Sequence, residues 1–158
     1  MDFRELVTAF GRTCGVDGME FDGEGTTALK ADDTLVTFIE LPATRQILVS
    51  ATVAEKPKGD CAQLFETLLQ AHHLGGATEG AAFSLSQTGM VSLQRTEALS
   101  ELDLALFSRI VERLLNQVDK WRTIIGAYVP GEAKGEAAAE RPLSPGDFLG
   151  GNPGFMQV

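Results

Sequence analysis

Nine apolar residues, Leu106, Phe107, Ile110, Val111, Leu114, Leu115, Val118, Trp121 and Ile125, recur at helical spacing over about five turns. A helix with so long a one-sided stripe is stable only against a second apolar layer. The rest of the chain must therefore supply that layer, and the period-2 segments upstream are its natural source. Residues 26–31 alternate, with Thr27, Leu29 and Ala31 on one face. Leu35 to Leu41 is rich in β-branched and aromatic residues, and Ile47, Val49, Ala51 and Val53 share one face of a third strand. Asp32-Asp33 and Leu41-Pro42-Ala43-Thr44 break these runs, and connections this short favour an antiparallel meander.

Two further helices and a hairpin complete the order. Phe3, Leu6, Val7, Phe10 and Cys14 fall on one stripe of an N-terminal helix, with Gly15 as its stop. After Lys56-Pro57-Lys58-Gly59, Asp60 is a candidate N-cap for a second helix carrying Leu64, Phe65, Leu68, Leu69 and His72. Gly75-Gly76 ends it. Residues 81–95 read as a hairpin turned at Gln87-Thr88-Gly89, and Ser100 or Asp103 can cap the last helix, which Gly126 ends. The expected fold is α+β, in the order α-β-β-β-α-β-β-α, with an antiparallel sheet packed by helices. We take 1–125 as the folded domain and 126–158 as an irregular C-terminal extension, because those last 33 residues hold seven Gly and four Pro. Phe148, Leu149, Phe155 and Met156 are more apolar than a spacer requires, and they suit docking on the domain or on a partner.

The chain has 158 residues and a net charge of −9. A surplus of acids argues against a nucleic-acid partner and against an anionic membrane surface. No apolar run approaches the ~20 residues that span a bilayer. The N-terminus carries acids and has no continuous apolar stretch, so a signal peptide is not expected. The two cysteines, Cys14 and Cys61, suit a reducing cytoplasm and are expected as buried thiols near the apolar stripes.

The sequence offers little catalytic chemistry. His72 and His73 are adjacent, so on a helix they point about 100° apart, and no third metal ligand accompanies them. Gly75-Gly76-Ala77-Thr78-Glu79-Gly80 follows a helix and precedes a strand, the reverse of a phosphate-binding turn. No enzyme, metal or cofactor is expected.

One succession of motifs goes further. Leu68-Leu69-Gln70-Ala71-His72-His73-Leu74-Gly75-Gly76 leads into Ala81-Ala82-Phe83-Ser84-Leu85, and Gly89-Met90-Val91-Ser92-Leu93-Gln94-Arg95 follows. Then come Leu102-Asp103-Leu104-Ala105-Leu106-Phe107 and Val118-Asp119-Lys120-Trp121-Arg122. This order resembles the type III secretion chaperones of the Tir chaperone (CesT) family, class I. The resemblance implies a small, acidic, cytoplasmic homodimer that binds an extended N-terminal segment of a secreted effector and keeps it soluble for export. The export ATPase is a further implied partner.

The resemblance also suggests the first helix and the 26–53 sheet as the effector surface, for which Phe3, Val7, Phe10, Val36, Phe38 and Leu48 are candidates. For the dimer contact it suggests the second helix and the hairpin, with Leu64, Phe65, Leu68 and Phe83. Each of these residues fits the domain's own core equally well, since a stripe does not say whether its cover is intramolecular. The runner-up function is a same-fold interaction or regulatory module unrelated to secretion.

Overall fold

Asp2 opens the molecule with a reciprocal cap. Its Oδ1 accepts from the Glu5 backbone N–H at 2.8 Å, and the Asp2 N–H donates to Glu5 Oε2 at 3.0 Å. This satisfies donors that a helix start leaves unpaired, and it fixes α1 at Phe3–Thr13. The computed structural model describes residues 1–131. Three strands follow α1: β1 (Thr26–Ala31), β2 (Thr34–Leu41) and β3 (Gln46–Glu55). Then come α2 (Ala62–His72), a 3-10 turn (His73–Thr78), β4 (Ala82–Leu85), β5 (Met90–Ala98), a short 3-10 turn (Leu99–Glu101) and α3 (Leu104–Ala127). The α+β order read from the sequence is the order observed. The Phe148, Leu149, Phe155 and Met156 positions lie outside the described residues.

All strand pairs are antiparallel, in the order β1-β2-β3-β5-β4. The hairpin of β4 and β5 therefore joins the meander through β5, and β1 and β4 are the two edges. Register decides which side chains meet. Val36 pairs with Ala51, Phe38 with Val49, and Ala51 with Leu93, so these share one face. On that face Phe10, Phe38 and Phe107 form a three-ring cluster with centroids 5.3–5.8 Å apart. Each buried Phe or Leu contributes about 1.5–3 kcal/mol by leaving water. The opposite face carries Thr37, Ile39, Leu48, Ser50, Thr52, Ser92 and Gln94, all half-buried.

Helix α3 is the structural spine. Asp103 caps it, accepting from the Leu106 N–H at 2.7 Å, while Ser100 does not. Its far end is tied to the sheet by Arg122, which donates to the Val53 carbonyl at 2.9 Å and to Thr34 Oγ1 at 2.6 Å. That contact falls where β3 bulges against β5, between Thr52 and Ala54. Trp121, 4% exposed, meets Phe83 edge-on at 5.0 Å.

Two local expectations are corrected. Cys14 is exposed, because α1 ends at Thr13 and the thiol sits one step past the buried stripe; Cys61 is buried as expected. Asp60 caps α2 from one position further out. It accepts from the Ala62 N–H at 2.9 Å, while Cys61 occupies the N-cap and makes no side-chain cap.

Candidate functional site

Among the described residues, an apolar groove opens at each edge of the sheet. The first lies between the end of α1, edge strand β1 and the middle of α3. Phe10, Leu29, Val36, Val111 and Leu115 line it, Cys14, Lys30 and Asp32 stand around it, and its volume is about 230 Å³. It exists because α1 stops at Thr13 while α3 continues, so the sheet is covered beyond α1 by one helix only.

The second groove lies between α2 and edge strand β4. It holds about 180 Å³ and is lined chiefly by Phe65, Leu68, Leu69, Phe83, Leu85 and Val91. Leu64 and Leu68 point into the core, whereas Phe65 and Leu69 sit one step further round the helix and reach the edge. Leu69 is 70% exposed and Leu85 49%. Beyond α2, Leu74 is 91% exposed with φ +57°, a left-handed conformation that costs a non-glycine residue about 1–2 kcal/mol. The turn carrying it is fastened by polar contacts. Arg95 Nη1 donates to the Glu79 carbonyl at 2.8 Å, and Gln117 Nε2 donates to Glu79 Oε1 at 3.1 Å. Arg95 also pairs with Glu97.

The expected effector-contact residues are therefore mostly interior. Phe3, Val7, Phe10, Val36 and Phe38 are between 0 and 8% exposed. The physical reason is that α1 and α3 together cover the face of the sheet these side chains share. Phe10 and Val36 form part of the lining of the α1–β1–α3 groove, and Phe3 lines a separate, more polar cleft with Glu40 and Leu102. Leu48 stands apart, on the opposite face and paired with Ile39. Of the expected dimer residues, Leu64 and Leu68 are buried and Phe65 and Phe83 half-buried, and the last three line one groove. The sequence reading missed Leu115 and Leu29 as groove residues and Leu69, Leu74 and Leu85 as exposed ones. Their signal was present as apolar positions flanking each stripe, but periodicity does not grade how deep a flanking residue lies.

His72 and His73 are both exposed, and His72 Nδ1 lies 3.1 Å from the Ala81 carbonyl. Among the described residues, no three His, Cys, Asp or Glu side chains are grouped as a metal site.

Comparison with known proteins agrees with this architecture. The model of the Tir chaperone protein (CesT) family matches residues 5–122. The chain belongs to that family. This is the family that the motif succession resembles. No curated protein sequence matches it significantly.

Among solved structures, similar folds occur in the ExsC–ExsE complex (TM-score 0.69, 22% identity, covering 79% of this chain and 97% of that one). The HopA1–SchA chaperone–effector complex gives 0.65 and 20%, covering 77% and 93%. The Yersinia pestis type III secretion chaperone SycH, in complex with a fragment of YscM2, gives 0.59 and 13%, covering 73% and 96%. At these identities the likeness is one of fold.

Proposed function

We propose that the groove between α1, β1 and α3 receives an extended N-terminal segment of a secreted effector, with the β1 edge offering backbone hydrogen bonds to it. The observation that carries this reading is the coincidence of an apolar groove with an edge strand. An edge strand presents unpaired N–H and C=O groups, and a neighbouring pocket takes alternate side chains of an added strand. An effector segment held there is kept from aggregating without any covalent step, so the function is binding and not catalysis. A chaperone of this kind acts in the cytoplasm, before export, and the export ATPase is its implied later partner. Among the described residues no helix is long and apolar enough to cross a membrane.

We further propose a homodimer in which the α2–β4 groove of one copy meets that of another, with Phe65, Leu68 and Phe83 joined by Leu69 and Leu85, and Leu64 supporting them from beneath. Contiguous exposed apolar side chains on a soluble domain mark an interaction surface. A left-handed, solvent-exposed Leu74 beside α2 supports the same reading, since strain of that kind persists where function holds it.

The test is co-expression with candidate secreted proteins, followed by titration of the co-purifying N-terminal segment. Leu29→Asp and Leu115→Asp are each expected to weaken binding at least tenfold. Unchanged affinity in both variants would falsify the groove assignment. Light scattering reads the dimer directly, and a mass equal to one chain removes it.

A further inference from the structure

We infer that the chain's own C-terminal segment, residues Phe148 to Met156, occupies the α1–β1–α3 groove when no effector is bound. This rests on the effector-groove reading above and adds its regulation. Three observations support it.

The first is chemistry. Phe148-Leu149 and Phe155-Met156 are two apolar pairs separated by Gly150-Gly151-Asn152-Pro153-Gly154. Glycine and proline in that number disfavour a helix in such a spacer. The segment thus has the sequence character expected of a client: large apolar side chains spaced by glycine, proline and asparagine.

The second is where the described chain ends. Tyr128 Oη donates to the Asp60 carbonyl at 3.0 Å and Pro130 lies against Gly59, so the chain leaves the domain at the start of α2. Val111 and Leu115 lie 16 and 12 residues before Ala127 on α3, which is about 24 and 18 Å at a rise of 1.5 Å per residue.

The third is reach. Sixteen residues, 132–147, separate Gly131 from Phe148. A coil of that length spans about 20–24 Å on average. Effective concentration peaks when average span matches the distance to be bridged, and for short linkers it reaches about the millimolar range. The α2–β4 groove begins beside the exit point, where this length leaves the chain slack. The tail therefore matches the distant groove, and the near one is left to a second copy.

A tethered occupant of that strength yields to an effector that binds more tightly, and it shields the groove until then. It also raises the apparent dissociation constant for effector above the groove's own, by the reciprocal of the fraction of time the groove stands empty.

The native thiols supply the probe. Cys14 is exposed beside the groove and Cys61 is buried. In the whole protein treated with a thiol-reactive disulfide reagent, Cys14 should react slowly. The double variants Phe148→Ser with Leu149→Ser, and Phe155→Ser with Met156→Ser, should react at least threefold faster, with unchanged circular dichroism. A synthetic peptide of residues 145–158 added to either variant should restore the slow rate. Equal or slower rates in the variants overturn the inference. Protection that fades on dilution overturns it as well, by assigning the tail to another copy's groove. An effector segment that protects Cys14 in the tail variants keeps the groove reading alive if the tail inference fails. Tail protection with no effector protection shows the reverse.

Discussion

Helices α2 and α3 begin from similar material and end in different states. Both carry apolar stripes at helical spacing, yet α3 buries Phe107, Ile110, Val111, Leu114, Val118, Trp121 and Ile125, while α2 buries only Leu64 and Leu68. The cap differs in the same direction. Asp103 holds the start of α3 directly, whereas the N-cap of α2 makes no side-chain bond and Asp60 assists from one residue away. The contrast teaches that a stripe commits a helix to a partner but not to an intramolecular one. The spine is satisfied within the chain except where Leu115 lines the open groove, whereas the edge helix keeps much of its apolar surface in reserve.

The contrast can be broken experimentally, beginning where the effect is largest. Phe107→Ala removes the ring that touches both Phe10 and Phe38, and it should cost about 3–5 kcal/mol in urea unfolding. A loss under 1 kcal/mol contradicts the assignment of this cluster as the centre of the core. Asp103→Ala should cost about 1 kcal/mol by uncapping the spine, and Asp60→Ala less than that. A reversed order means that the two helix starts are not held as described.

Leu74→Gly should leave stability unchanged or raise it by up to about 1 kcal/mol, because glycine adopts the left-handed conformation without strain. The same variant should weaken self-association in sedimentation measurements at matched protomer concentration. Leu69→Ser should change monomer stability by less than about 0.5 kcal/mol and still reduce dimer formation. A large loss of stability there places Leu69 in the core and removes the difference between the helices.

Most of the fold was legible in the sequence because each segment had one dominant period. The strands from Thr26 to Glu55 alternate cleanly and their turns are short, so antiparallel pairing of neighbours was legible, while the register came from the structure. The place of β5 between β3 and β4 was not legible, because alternation says which face a strand buries and not which strand lies beside it. The site was less legible for a related reason. Phe3, Val7 and Phe38 are as apolar as any contact surface, and only the covering by α1 and α3 shows that they face inward. Cys14 was misplaced by one residue of helix, since the stripe continues in the sequence past the point where the backbone leaves the helix.

The position of β5 has a consequence for how the chain is made. The meander of β1 to β3 is complete at Glu55, but the strand that flanks it comes at Met90–Ala98 and the helix that covers it runs on to Ala127. At translation rates of about 5–20 residues per second, the roughly seventy residues in between take some 4–14 s to appear. During that interval Val36, Phe38, Ile47 and Val49 have been made with α1 but without the share of their cover that α3 supplies. The apolar face of the sheet is thus open during synthesis in the way that the two edge grooves remain open in the finished fold.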